Sequence, residues 1–172
     1  MNITVRHCVF ETNSSSTHSI VISKNTVTDF PKSIEFCQGD YGWEFEQYSL
    51  PNYLYTAIRN STHVDEYIEK LKSVLDKHNI EYTLDDSYEG YIDHEYELED
   101  FLEAVFSDED LLLRCLFGDS VVYTGNANSG YTEDDADGCM IAREEYYDPD
   151  KNDYVNNQYH DETNYDYFFK GN

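Results

Sequence analysis

Apolar residues recur with the spacing of an α-helix in the middle of this chain. Between residues 61 and 79 they follow the i, i+3, i+4, i+7 pattern of one helix face: Val64, Tyr67, Ile68, Leu71, Val74 and Leu75. Thr62, followed three residues later by Asp65, resembles a capping box at the start of this helix. Pro51 suits a first helical turn and predicts a preceding helix that runs to about Asn60.

Two further helices are predicted after residue 97. The first is defined by the apolar residues Leu98, Phe101, Leu102, Val105 and Phe106. We expect Ser107 to cap the second, because a serine hydroxyl accepts a hydrogen bond from the free amides of a first turn. Residues 111–117 form its apolar body, and Gly118 is expected at the C′ position just past its end.

Runs of β-branched and aromatic residues predict strands between turn-forming segments. We expect the first two strands to be antiparallel across a polar loop at residues 11–17. Together with the helices, the strands predict an α+β fold, a small mixed or antiparallel sheet with three or more helices packed on one face. The predicted strands cover residues 2–10, 18–23, 33–37, 80–84 and 120–124.

The length of 172 residues is typical of one domain, which can fold without disulfides or metals. We assign residues 1–130 to an α+β core and residues 131–172 to an acidic, tyrosine-rich segment packed on the same domain. The four cysteines lack metal-ligand spacing, and Cys8 and Cys115 lie in apolar patterns typical of buried thiols. With no signal-peptide pattern and no run of 18 apolar residues, we expect a cytoplasmic protein.

Charge changes this picture most. The chain has 36 Asp and Glu against 11 Lys and Arg, a formal net charge of -25. Residues 81–110 hold 13 acids and no base, and residues 131–172 hold 12 acids and three bases. Disorder fits poorly, because disordered acidic chains are poor in aromatics and this chain has 17 Tyr and 9 Phe. The negative charge also distinguishes it from most nucleic-acid-binding proteins, which are basic.

Carboxylates and tyrosines alternate in the first acidic block. If Glu95, Glu99 and Glu103 lie on one helix, their spacing of four places them on one face. Such a surface could engage Lys and Arg clefts that normally hold phosphates, with tyrosine rings stacking on Arg. The alternative is a solvated acidic face without a partner. We predict these partner-binding residues: Asp85, Asp86, Tyr88, Glu89, Tyr91, Asp93, Glu95, Tyr96, Glu97, Glu99, Asp100, Asp134, Asp135 and Asp137.

Catalysis and metal binding are weaker interpretations. The hydroxyl-rich segment from Ser14 to His18 leaves open a small enzyme or ligand binder, but adjacency in sequence does not establish a catalytic geometry. Asp148, Asp150 and Asn152 match the first ligands of an EF-hand loop, which here lacks the required Gly and the final Glu. We therefore expect no catalytic residues, no metal ligands and no cofactor, and keep a divalent-cation-binding acidic protein as an alternative.

The segment FETNSSSTHS at residues 10–19, together with YTGN at residues 123–126, resembles small acidic proteins from phages and prophages of Firmicutes. The resemblance covers about a tenth of the chain. It implies a group that includes anti-CRISPR inhibitors of type II, RNA-guided nucleases, and it identifies no contact residues.

Charge and resemblance together predict a non-enzymatic inhibitor, a nucleic-acid mimic that binds a basic nucleic-acid-binding protein. The partner we expect is a CRISPR effector nuclease with its guide RNA, whose DNA binding or cleavage would be blocked in the host cytoplasm. We expect neither direct DNA binding nor membrane association. An inhibitor of a restriction enzyme or another host defence protein is the alternative within this class.

Overall fold

The computed structural model describes residues 16–42, 44, 46–93, 98–126, 145–148, 150–156, 158–159 and 161–170. Over these ranges the chain forms an α+β fold in which helices pack against strands, as the sequence predicts. The elements in chain order are β1 (Ser16–Ser23), β2 (Ser33–Cys37), β3 (Gln47–Ser49), α1 (Leu50–Asn60), α2 (Val64–Lys77), β4 (Glu81–Asp85), α3 (Glu99–Ser107), α4 (Glu109–Phe117), β5 (Val121–Asn126), β6 (Glu145–Asp148), β7 (Asp153–Asn156) and β8 (Tyr165–Lys170).

The main sheet is antiparallel, with strand order β3-β5-β1-β8. β1 begins at Ser16, two residues before the predicted strand, and is buried along its whole length. Its neighbours in the described part of the chain are β5 and β8, so both of its edges carry hydrogen-bonded strands. The predicted strand at residues 2–10 lies outside the described residues.

Alternation along β1 divides the core between the two faces of the sheet. Ile20 and Ile22 belong to the large core formed with the four helices of the described chain. Val21, between them, packs with Val121 and Tyr165 in a smaller cluster on the opposite face. Residues 20–22 of β1 are therefore apolar on both faces of the sheet, which is why this β-branched run predicts a strand.

The parallel pair β2–β4 is a second, separate sheet. Parallel strands cannot be joined by a tight hairpin and need a crossover. Here β3, α1 and α2 supply it, with α1 packed on β2 and α2 on β4. Because both strands run the same way, the segments that follow Cys37 and Asp85 leave the sheet at the same edge.

The start of α2 differs from the predicted capping box. His63 is the N-cap residue, and no side chain bonds the first-turn amides. Thr62 instead uses both its backbone amide and its hydroxyl to donate to Glu99 Oε1, each at 3.2 Å. A tertiary contact with α3 replaces the expected local cap with Asp65.

The start of α4 also differs, because Asp108 rather than Ser107 is its N-cap. Asp108 Oδ1 accepts from the amides of Asp110 (3.0 Å) and Leu111 (3.3 Å). Ser107 is the last residue of α3, and its hydroxyl donates to the Ala104 carbonyl at 2.9 Å.

Gly118 is the C-cap of α4 and not a left-handed C′ residue, since its φ is -76°. Close approach is what requires glycine there. A Cβ at residue 118 would lie 2.5 Å from the carbonyl oxygen of Arg114.

The C-terminal part of the described chain contains a hairpin and one strand of the main sheet. β6 and β7 are antiparallel, and Asn152 in their turn has a φ of 51°. The EF-hand-like residues Asp148, Asp150 and Asn152 therefore lie at the end of β6 and in the turn that leads to β7. Within the described ranges, no helix combines the length and the apolar character needed to cross a membrane.

Candidate partner-binding surface

The acidic segment of residues 85–93 meets the loop of residues 38–42 at the edge where β2 and β4 end. The amide of Tyr41 donates to the carbonyl of Tyr91, and the amide of Asp93 donates to the carbonyl of Tyr41, both at 2.9 Å. Gly90 lies against Gly39 so closely that a Cβ at residue 90 would be 2.4 Å from the Gly39 carbonyl oxygen. Backbone therefore packs directly on backbone, which a larger residue would prevent.

Two amide side chains fasten the acidic segment to the rest of the fold. Asn60, the last residue of α1, donates to the Gly90 carbonyl and accepts from the Ile92 amide, each at 3.1 Å. Gln38 Oε1 accepts from the Gly90 amide at 3.3 Å. Ile92 itself is buried in the core. The segment is thus held in one conformation although most of its side chains face solvent.

The first two predicted site residues make specific internal contacts. The Ser87 amide donates to Asp85 Oδ1 at 2.8 Å, and hydrogen bonds from the Ser87 side chain first and from this amide second lower the pKa of Asp85. Asp86 Oδ1 accepts from the Tyr55 hydroxyl at 2.7 Å and lies 3.2 Å from Arg59 Nε. Asp86 is therefore partly neutralised, whereas Asp85 has only backbone and hydroxyl donors and keeps its full negative charge.

The residues that follow Asp86 present aromatic rings beside carboxylates. Tyr88 and Tyr91 are 50% and 52% exposed, and Glu89 is also exposed. The Tyr88 hydroxyl donates to Asp40 Oδ2, and this bond is the main reason that the pKa of Tyr88 is raised. We call the whole group the acidic surface: Asp40, Asp85, Asp86, Tyr88, Glu89, Tyr91 and Asp93.

Sequence reasoning missed Asp40, which lies 48 positions before Tyr88. Only the parallel pairing of β2 with β4 brings it to this edge. Negative charges near this edge also act on Cys37. The pKa of its thiol is raised first by burial and then by the charges of Glu35 and Asp85.

The second half of the predicted site is described only in part. Glu99, at the start of α3, is held by Thr62, and Asp100 is exposed. α3 begins at Glu99, so Glu99 and Glu103 share this helix. The remaining predicted residues lie outside the described part of the chain: Glu95, Tyr96, Glu97, Asp134, Asp135 and Asp137.

His18, the residue behind the enzyme alternative, is buried within β1 and 1% exposed. Its Nε2 lies 2.8 Å from the Gly42 carbonyl oxygen, and its Nδ1 lies 2.8 Å from the Tyr53 hydroxyl. Because a carbonyl oxygen only accepts, Nε2 carries the proton and Nδ1 accepts from Tyr53. Both nitrogens thus serve the interior, while Ser14 and Ser15 lie outside the described residues.

Metal and thiol chemistry find little support in the described ranges. No group of three or more His, Cys, Asp or Glu side chains is arranged there to hold a metal ion. Cys115 is buried, as its apolar pattern predicts, and burial raises its pKa to about 12, which leaves an unreactive thiol.

Most basic side chains in the described part are used in ion pairs within the fold. Carboxylates pair with Lys24, Arg59, Lys70, Lys77 and Arg114 at 2.7–3.4 Å. Most basic side chains of the described part are therefore already paired within the fold, and the charge that remains is negative.

No protein-family model, curated protein or solved structure matches this chain. Its function is therefore inferred from its own residues and their geometry.

Proposed function

We propose that this protein is a non-enzymatic inhibitor that occupies the nucleic-acid-binding site of a basic protein, with the acidic surface as its contact. In the setting that the phage resemblance implies, the partner is an RNA-guided nuclease carrying its guide RNA. The observation that carries the proposal is a fixed, solvent-facing segment of alternating carboxylates and tyrosines within a stretch of 13 acids and no base.

Rigidity supports this function because an ordered surface loses little conformational entropy when it binds. The backbone bonds between Tyr41, Tyr91 and Asp93 and the bonds from Asn60 hold the backbone that carries these carboxylates in place before any partner arrives. A solvated acidic face would need none of these restraints.

The negative charge of the protein also supports the proposed function. Carboxylates grouped on one surface attract the Lys and Arg residues that normally neutralise phosphates, and a net charge of -25 steers association with a basic cleft. Binding of this kind weakens steeply as salt concentration rises.

The test compares two triple variants that remove equal charge. The first, E89Q/D93N/D100N, removes two of the five carboxylates of the acidic surface and one carboxylate at the start of α3. The second, D29N/E69Q/D76N, neutralises exposed acids in the β1–β2 connection and on α2. Each is titrated against a complex of a type II RNA-guided nuclease with its guide RNA, with labelled target DNA as the competitor, at several salt concentrations.

We expect the first variant to compete roughly tenfold less well than the wild type, with a shallower dependence on salt, since a few charge pairs contribute about 1–2 kcal/mol together. The second variant should lose much less of its ability to compete with DNA. Equal losses would show that only net charge matters and would reject this surface. If the wild type does not compete with the DNA, a pull-down from host lysate, washed over a salt gradient, shows whether it binds another basic protein. Capture of no basic protein would reject the mimic function.

A further inference from the structure

Two aromatic side chains dominate the exposed part of the acidic surface. Tyr88 and Tyr91 are the large hydrophobic residues that stand out as exposed over the described ranges. Other tyrosines of this fold, such as Tyr41, Tyr53 and Tyr55, are buried in the core. The two rings thus expose apolar area to solvent on the segment whose backbone is fixed.

Contacts within the fold hold the Tyr88 hydroxyl and the backbone of Tyr91. The Tyr88 hydroxyl is bound by Asp40, and the Tyr91 carbonyl accepts from the Tyr41 amide at 2.9 Å. Gly90, between them, is locked against Gly39. The Tyr88 ring is therefore held at its hydroxyl, and the Tyr91 ring projects from a backbone that is already fixed.

The electrostatic setting of the rings favours a cation. A phenol that donates its proton to a carboxylate gains electron density on its ring, and the face of an aromatic ring already attracts positive charge. Glu89 lies between the two tyrosines in sequence, and Asp93 follows Tyr91 by two residues. An occupant must therefore be cationic and must also tolerate contact with a flat apolar face.

We propose that Tyr88 and Tyr91 are stacking platforms that select arginine over lysine on the partner. This inference rests on the proposed function, since it specifies which basic side chains the acidic surface holds. A guanidinium is planar and weakly hydrated, so it stacks on an aromatic face while its N–H groups bond a neighbouring carboxylate in two places. A lysine ammonium is a compact, strongly hydrated charge that meets the carboxylates alone. Partner sites rich in arginine are favoured over sites of equal charge built from lysine.

The experiment measures binding of two probes, an octa-arginine and an octa-lysine peptide, by calorimetry in the same buffer. The variants are Y88L/Y91L, which keeps apolar bulk without aromatic rings, and Y88F/Y91F, which keeps the rings without hydroxyls. Far-ultraviolet circular dichroism checks that both remain folded, as expected for exposed positions.

For the wild type we expect the arginine peptide to bind roughly five- to thirty-fold more tightly than the lysine peptide, the effect of two exposed cation–π contacts. Y88L/Y91L should bind both peptides with the affinity of the lysine peptide. Y88F/Y91F should retain most of the preference. Equal wild-type affinities for the two peptides, or a preference unchanged in Y88L/Y91L, would overturn the inference.

Failure of the inference and failure of the proposed function are distinguishable. If Y88L/Y91L still competes with DNA as well as the wild type while E89Q/D93N/D100N does not, the inhibitor function stands and arginine selection is wrong. If the peptides are discriminated but no nucleic-acid-binding protein is displaced or captured, the stacking platforms stand and the mimic function is wrong.

Discussion

At the scale of single residues, tyrosine hydroxyls bind carboxylates in this protein, a role that basic side chains have in other proteins. A chain with 36 acids and 11 bases cannot pair each of its carboxylates with a basic side chain. A phenol satisfies a carboxylate by hydrogen bonding but leaves its negative charge in place. In the described part of the chain Tyr55 donates to Asp86, Tyr88 to Asp40, and Tyr159 and Tyr165 to Asp119. Tyrosines near acidic residues thus stabilise the fold by hydrogen bonding and also form part of its surface.

His18 illustrates a residue whose role is set by its partners. Substitution His18→Ala removes two hydrogen bonds in a buried site, one to the Tyr53 hydroxyl and one to the Gly42 carbonyl. We expect the free energy of unfolding to fall by roughly 2–5 kcal/mol in urea titrations, the cost of losing two buried hydrogen bonds and the imidazole that makes them. His63→Ala, at an exposed position, is the matched control and should change stability by less than about 0.5 kcal/mol. Wild-type stability in His18→Ala would contradict a structural role and favour the enzyme or ligand-binder alternative.

At the scale of elements, the crossover between β2 and β4 builds the acidic surface. The crossover places the two strands in parallel, so the loops that follow them share one edge. The same crossover provides Asn60 at the end of α1, which binds the acidic segment. A hairpin of the same two strands would have put the loops at opposite ends.

The junction of α3 and α4 gives a prediction at this scale. Asp108→Ala removes the carboxylate that accepts from two first-turn amides and should destabilise the protein by about 1 kcal/mol in urea or thermal unfolding. Ser107→Ala removes only a hydroxyl that donates to a carbonyl already in a helix, and its effect should stay below about 0.5 kcal/mol. The reverse order of the two effects would restore Ser107 as the cap.

At the scale of the whole molecule, buried tyrosines make the fold sensitive to base. Burial raises the pKa of Tyr41, Tyr159 and Tyr165 from 10.0 to about 12, and Asp119 opposes ionisation of the last two as well. A pKa that is raised in the folded state stabilises the fold fully below the unfolded value and loses this effect as the pH rises through the folded value. Stability should therefore decline between about pH 10 and pH 12.

A pH titration checks this by recording tyrosinate absorbance and helical circular dichroism on the same samples. We expect the last tyrosines to ionise together with loss of the helical signal. Tyr91→Phe, which removes an exposed hydroxyl and keeps its ring, should leave the transition in place. Complete tyrosine ionisation near pH 10 with an intact helical signal would contradict the prediction.

The sequence by itself determined the parts of this fold that local periodicity encodes. Pro51 located α1, apolar spacing located α2 and α3 to within a few residues, and β-branched runs located β2, β4 and β5. Helix ends were less predictable, because the Thr62 side chain binds a carboxylate on another helix and α3 extends up to the cap of α4. Local patterns encode which face of an element is buried, but not which distant group competes for a cap.

The composition also determined the excess of acid and its concentration in residues 81–110. Only the tertiary structure decided which of those acids face outward as a group, which pair internally, and that Asp40 joins them. The physical reason is that the acidic surface arises from parallel pairing between strands far apart in the chain, and no local pattern in either strand specifies its partner.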